Sequence, residues 1–328
     1  MADVLSKLGL TQAELDEAVN SKPNVPYRLL NSGLFQDKNL TTTSVMVEFT
    51  DKELKLIPAN SRVGAANVRA YGKGSTVRTF TPPLLNLETT IRSEQIQDVR
   101  KVGTRDALLS NAEAMQEEIA THREMHDLTI EHLMLGAIKG KIIDADGETV
   151  LFDLFKELGI SEPLTTIDAA AADIGQQFAK TLRIMKDGLA GDTCTQARVL
   201  CSRGFFDSVI AHKSAHEAFE RYQENAFARN LPVDTFQWNG FIFEVYHYEI
   251  DGKPVIADGE AHAYLEGMQR GFTRYNATGT LMSAVNQIAR PFYIDIEDLA
   301  HKRGISVYTE SAPLPLCLRP KTLMHFKI

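Results

Sequence analysis

The chain is poor in several features that mark functional classes. It holds three cysteines in 328 residues, Cys194, Cys201 and Cys317, with no C-x-x-C pair. A disulfide framework and a cysteine-built zinc site are therefore not expected, and a reducing compartment of synthesis is. Basic residues are in the minority, with 35 Lys and Arg against 43 Asp and Glu and a net charge of −8. That balance argues against a dedicated nucleic-acid or membrane-surface binder, whose charge is usually strongly basic. No stretch approaches the roughly 18 apolar residues that span a bilayer. Met1–Leu5 has no basic stretch leading into an apolar run, so no secretory leader is expected. Catalytic signatures are missing as well. There is no G-x-S-x-G elbow and no G-x-G-x-x-G turn. Gly72-Lys73-Gly74-Ser75-Thr76 lacks the glycine spacing and the strand–loop–helix setting of a phosphate loop.

The remaining candidates for chemistry have plain structural readings. His122 and His126 stand four apart in a helical stretch, but Arg123-Glu124-Met125 between them does not make H-E-x-x-H. They read as part of a solvated helix face, and His212 and His216 read the same way. Cys201, at a strand end, reads as a core thiol. Phe205, Phe206, Phe241 and Phe243 read as core. No catalytic residue, cofactor site or metal site is expected.

What is present suffices for a large folded body. Hydrophobic residues make up 44% and charged residues 24%, and the length suits two domains or one with excursions. Thr11 and Glu14 form a capping box for a helix in residues 1–20. Pro23 and Pro26 make residues 21–43 an extended arm. Val45, Val47 and Phe49 alternate, and Thr50-Asp51-Lys52-Glu53 reads as a turn into Leu54 and Leu56, closing a hairpin over 44–58. Residues 60–87 are glycine-rich and short of large apolar side chains, so they cannot build a core of their own. A two-stranded hairpin alone is marginal in water, so something else must hold this one.

The clearest helix runs over 104–138, where Leu108, Ala112, Met115, Ile119, Leu128 and Leu133 recur near helical spacing without glycine or proline before Gly136. At about 1.5 Å per residue it would span roughly 50 Å. Asp146-Gly147 marks a hairpin turn between Ile142-Ile143 and Val150–Phe152. Further helices are expected over 166–188 and 203–225, with strands at 198–201 and 241–248. Asp251-Gly252 should turn the last of these into 254–257. The chain from Ile305 onward reads as extended, giving a mixed α+β class overall.

Charge is segregated along the chain. Between Glu53 and Glu88 there is no acid, while Lys55, Arg62, Arg69, Lys73 and Arg78 are basic. From Ala107 to Ile138 there are Glu113, Glu117, Glu118, Glu124, Asp127 and Glu131 against Arg123 alone. A basic excursion without a core beside an acidic helix predicts complementarity between copies of the chain. The inter-subunit loop residues are then Arg62, Gly64, Arg69, Gly72, Lys73, Gly74 and Arg78. The receiving residues are the six acids of the helix.

The order of these parts resembles the major capsid protein E family of tailed bacteriophages, a lambda-like branch of the Hong Kong 97 type capsid fold. The likeness rests on Val63-Gly64, Arg69, Gly72, Gly74 and Phe80-Thr81-Pro82, on Asp98–Gly103 before the helix, and on Glu310-Ser311-Ala312-Pro313-Leu314-Pro315. It implies an N-terminal arm (1–43), an extended loop region (44–94), a peripheral domain with a spine helix (95–160), an axial domain (161–304) and a returning C-terminal strand (305–328). It also implies a virion structural protein, made in the host cytoplasm, that self-assembles through pentamers and hexamers into an icosahedral procapsid. That shell matures and encloses double-stranded DNA by weak non-specific contact. Scaffold, protease, portal and decoration proteins would be its partners, with no membrane. Two other readings are an encapsulin-like compartment, which has the same fold but an enzyme cargo, and a soluble α/β enzyme with its catalytic domain in 160–300.

Overall fold

A single long helix organises the computed structural model, which describes residues 28–50, 75–98, 110–168, 171, 173–229, 234–247, 249–250 and 253–328. A short helix α1 (Ser93–Ile96) precedes it, and the long helix itself is α2 (Asn111–Lys139). Ser110 caps the start of α2 in a reciprocal box. Its Oγ accepts from the Glu113 N–H at 3.2 Å, and the Glu113 carboxylate accepts the Ser110 N–H at 3.1 Å. Gly140 ends it in the left-handed region, at φ 77°. Residues 99–109, where the expected helix would have begun, lie outside the described set.

Among the described residues the strands fall into six groups. Strands β1 (Phe35–Asn39), β2 (Val45–Thr50), β3 (Ser75–Phe80) and β4 (Leu85–Arg92) come first. After α2 the chain forms β5 (Lys141–Ile143), β6 (Val150–Asp153), α3 (Leu154–Leu158), β7 (Leu164–Thr166), α4 (Ile174–Asp187) and β8 (Gln196–Cys201). Then come α5 (Arg203–Ala211), α6 (Lys213–Arg229), β9 (Thr235–Trp238), β10 (Phe241–Val245) and the short pair β11 (Glu249–Ile250) and β12 (Lys253–Pro254). The chain closes with β13 (Glu260–Glu266), β14 (Phe272–Asn276), β15 (Tyr293–Asp298), β16 (Gly304–Ser311), β17 (Pro313–Cys317) and β18 (Met324–Lys327).

The largest sheet has the order β7-β18-β13-β8-β10-β9, and two three-stranded sheets have the orders β1-β14-β17 and β15-β16-β4. The extended C-terminal stretch thus enters three sheets in succession, through β16, β17 and β18. One face of the six-stranded sheet carries Val199, Cys201, Phe241, Phe243, Ala261, Ala263 and Phe326, all fully buried. Phe178 of α4 meets Phe241, Phe243 and Phe326 there, with ring centroids 5.2–6.1 Å apart. Strict alternation along β10 and β13 fixes which side chains join this core. The core reading of Cys201, Phe205, Phe206, Phe241 and Phe243 agrees with their burial, and burial pushes the Cys201 thiol far up.

Two local expectations are corrected. The turn expected at Thr50–Glu53 and its second limb at 54–58 lie, from residue 51 on, outside the described residues, and the partner found for the strand is a different one. Strand β2 continues through Thr50 and pairs with β3, from Val45↔Phe80 to Thr50↔Ser75. That register places Val45, Val47 and Phe80 together on a buried face, with Phe80 edge-on to Phe152 at 5.8 Å. Burying a common apolar face sets register more strongly than a local turn signal. The single helix expected over 203–225 is also divided. His212 leaves helical geometry at ψ 133°, and its ring bonds Ser214 Oγ at 2.8 Å and the Ala171 carbonyl at 2.9 Å.

Candidate assembly surface

The spine helix α2 has two different halves. From Ile130 to Ile138 it is almost wholly buried in the main core. From Met115 to Asp127 one stripe lies on the β4-β16-β15 sheet, where Met115 and Ile119 pack with Phe292, Ile294, Ile296 and Val307. The stripe then continues through His122 and His126. Each is 2% exposed, so neither belongs to a solvated face. His122 Nε2 lies 2.7 Å from Thr89 Oγ1 and its Nδ1 2.9 Å from Thr309 Oγ1. His126 Nδ1 lies 2.8 Å from Ser311 Oγ, and its ring stands edge-on to Phe292 at 5.0 Å. The histidines stitch α2 to β4 and β16 through hydroxyls, which keeps buried polar groups satisfied. Burial lowers both rings, His126 to about 4.

The acids of α2 divide in the same way. Glu117 and Glu124 are exposed, and Glu113 and Glu118 are partly exposed. Glu118 also lies 3.3 Å from His122 Nε2. Asp127 and Glu131 are each 1% exposed and face inward. Arg123 Nε bonds Asp127 at 3.1 Å, and burial pushes the Asp127 carboxyl up while Arg123 opposes it. Glu131 accepts the Leu29 N–H at 2.8 and 3.1 Å, the Leu30 N–H at 2.8 Å and the Tyr246 hydroxyl at 2.6 Å. It ties the entering arm to α2 and to the end of β10. Asp127 and Glu131 are therefore corrected from surface partners to internal groups, because a carboxylate 1% exposed within its own subunit, Glu131 with three donors and Asp127 with Arg123 alone, cannot be offered to a neighbour. Neither role was legible from charge counting. The signal available was position, since Asp127 and Glu131 follow the buried stripe at helical spacing.

Arg28 joins the same anchor. It bonds Glu244 at 2.5 and 3.0 Å, Arg198 bonds Glu244 and Glu266 at 2.6 Å each, and Tyr264 donates to Glu266 at 3.3 Å. This network covers the polar face of the six-stranded sheet. Farther along the arm, β1 pairs in parallel with β14, and Arg274 makes two bonds of 2.5 Å to Asp37.

The β2–β3 ladder is the described root of the basic excursion. Its inward face holds Val45, Val47 and Phe80, while Met46 is 76% and Val77 52% exposed on the other face. Arg78 is turned back onto its own protomer. Its Nε donates to the Glu157 carbonyl at 3.0 Å and its Nη1 to the Val77 carbonyl at 3.3 Å. These bonds hold the Arg78 side chain beside α3 within the single chain. Arg62, Gly64, Arg69, Gly72, Lys73 and Gly74 lie outside the described residues, as does the 1–20 helix. Among the described residues no helix is long and apolar enough to cross a membrane.

An arm tied to a spine helix, a two-stranded ladder rooted beside it and mixed sheets beyond form an architecture with known counterparts. The sequence profile described as phage major capsid protein E matches residues 11–328. The chain belongs to the phage major capsid protein E family. The major capsid protein of Salmonella phage Felix O1 is 24% identical to this capsid chain, covering 96% of it and 95% of the relative. Among solved structures, a prophage protein of Escherichia coli CFT073 described as its capsid protein superposes with a TM-score of 0.60 at 16% identity. It covers 97% of this chain, which covers 99% of it. The capsid of an empty GTA particle superposes at 0.51 and 12% identity, with coverage of 100% and 98%. The capsid of phage XM1 superposes at 0.50 and 14%, with coverage of 93% on both sides. The capsid chain thus has the α+β fold of the Hong Kong 97 type.

Proposed function

We propose that this chain is the shell-forming subunit of a phage head, associating with itself as pentamers and hexamers into an icosahedral container for double-stranded DNA. The family match over residues 11–328 carries the reading. In this assignment residues 1–43 are the arm and 44–94 the extended loop region. Residues 95–160 are the peripheral domain, 161–304 the axial domain and 305–328 the returning strand. The loop between β2 and β3 lies on a neighbouring copy, where Arg62, Arg69 and Lys73 face the outward acids Glu113, Glu117, Glu118 and Glu124. The exposed Met46 and Val77 add apolar surface at its root. The subunit is structural and has no catalytic role. Scaffold, protease, portal and decoration proteins are its partners in the host cytoplasm, and the virion head is its final place. The net charge of −8 suits a lining that does not grip packaged phosphates, since Lys and Arg contacts drive non-specific binding.

Negative-stain electron microscopy of the purified protein tests the assembly, with closed shells of uniform size as the expected result. A persistent monomer at high concentration would remove the proposal. Particles from an infected lysate should contain DNA, whereas a protein cargo would favour the compartment reading.

A further inference from the structure

The six-stranded sheet carries a histidine pair outside the candidate assembly surface. His262 on β13 and His325 on β18 are directly opposite in the antiparallel ladder. Their rings stack with centroids 4.5 Å apart and planes 22° from parallel. Glu260 and Lys327 form the next cross-strand pair on the same face, with Nζ 2.7 Å from Oε1. One ligating atom from each of Glu260, His262 and His325 lies within 4.8 Å of the other two.

The setting of His325 points to an ion. Its Nδ1 lies 3.0 Å from the carboxylate of Glu162, just before β7. Its Nε2 is buried and 3.2 Å from Glu260 Oε2, yet makes no hydrogen bond. In the tautomer that donates Nδ1–H to Glu162, Nε2 presents a lone pair toward the Glu260 carboxylate. Two acceptors that close need a cation between them. A histidine whose far nitrogen is held by a carboxylate is the usual arrangement of a metal ligand. The 3.2 Å separation also matches the edge of a tetrahedral site with bonds of about 2.0–2.1 Å. A second proton on His325 would fill the same gap, so the test must separate proton from metal.

We infer that Glu260, His262 and His325 form a binding site for a divalent transition cation of the zinc class, with Glu162 orienting His325. Two imidazoles and one carboxylate suit zinc and its neighbours, whereas calcium and magnesium take oxygen-only cages. Three protein ligands leave a fourth position for water. That position opens toward the rim, where the Glu162 and Lys327 side chains are 55% and 46% exposed. The Lys327 ammonium competes for Glu260 and turns into solvent when the ion binds. The ion would fasten the last strand, β18, to β13 and to the segment entering β7.

Titrating the purified full-length protein with cobalt(II) at neutral pH reads the site directly. The expected result is the visible absorption of four-coordinate cobalt, saturating at one equivalent per chain and bleached by zinc. Glu260→Gln and His325→Gln should each abolish it. Glu162→Gln should weaken binding about 10- to 100-fold, and Lys327→Ala should tighten it by removing the competitor. His216→Ala, at an exposed histidine of α6, should leave the signal unchanged. Zinc should raise the melting temperature of the wild type and not that of His325→Gln. The inference is overturned by absence of saturable binding, or by binding that survives in Glu260→Gln and His325→Gln. Should His325→Gln fail to fold, Glu162→Gln and Lys327→Ala decide, and unchanged affinity in both rejects the site.

Discussion

At the scale of single residues, His126 couples stability to pH. Its ring is buried against Phe292, Ser311 and Thr309. Burial, then the nearby His122 and Arg123, lower it to about 4 from the ordinary 6.5. The folded chain therefore holds the neutral ring, while the unfolded chain takes up a proton below about 6.5. The unfolded state binds more protons between those values, so stability is full above about pH 6.5 and falls as the pH drops toward about 4. The loss attributable to this ring is on the order of 3 kcal/mol. His122, lowered by burial against the pull of Glu118, acts with the same sign. Urea unfolding of the wild type and His126→Gln should show it as a difference between their pH slopes over that interval. Parallel slopes would mean that the ring titrates alike in both states. The two histidines also show why residues mislead in isolation. Their spacing of four was plain in the sequence, but the hydroxyls that bury them sit on β4 and β16, far away in the chain. Buried positions 115, 119, 122, 126 and 130 keep helical spacing throughout. Reading that stripe by position, not by polarity, would have placed His122 and His126 inside.

At the scale of elements, the end of α2 is the sharpest constraint. Gly140 sits at φ 77°, and a methyl group there would overlap the ring of Phe155 on α3. Left-handed backbone alone costs a substituted residue about 1–2 kcal/mol, and displacing a packed ring adds about 1–3 kcal/mol. Gly140→Ala should therefore destabilise the chain by roughly 2–4 kcal/mol, read as a lower urea midpoint. Gly147→Ala at the hairpin tip, with φ 76° but open space around it, should show only the smaller conformational part. Equal effects at the two glycines would remove the steric argument. Elements with local punctuation were legible in advance, among them the β5–β6 hairpin with its Asp146-Gly147 turn and the helix ending at Gly140. The β2–β3 pairing and the break at His212 were not, because each depends on a remote partner: the Phe80 face in one case and the Ala171 carbonyl in the other.

At the scale of the whole molecule, the fold class was legible because the order of parts survives where individual motifs are weak. The proposed assembly surface was drawn from charge counting, which cannot separate an outward acid from one buried under the arm. Removing the buried Asp127 and Glu131 from the expected set narrows the proposed contact. Arg62, Arg69 and Lys73 remain on the loop, and Glu117 and Glu124 are the most outward acids on the spine. Contacts among exposed charges are individually small, about 0–1 kcal/mol, but a shell repeats each one in every copy. Replacing Arg62, Arg69 and Lys73 by Glu should leave a folded subunit by circular dichroism and abolish shells in electron micrographs. Replacing Glu117 and Glu124 by Lys in that same chain should restore assembly, because the reversed charges again oppose each other. The rescue should weaken as salt rises, since screening shortens the reach of surface charge to about 8 Å at physiological ionic strength. Normal shells from the loop triple substitution, or no recovery from the combined one, would show that loop and spine helix do not recognise each other by charge.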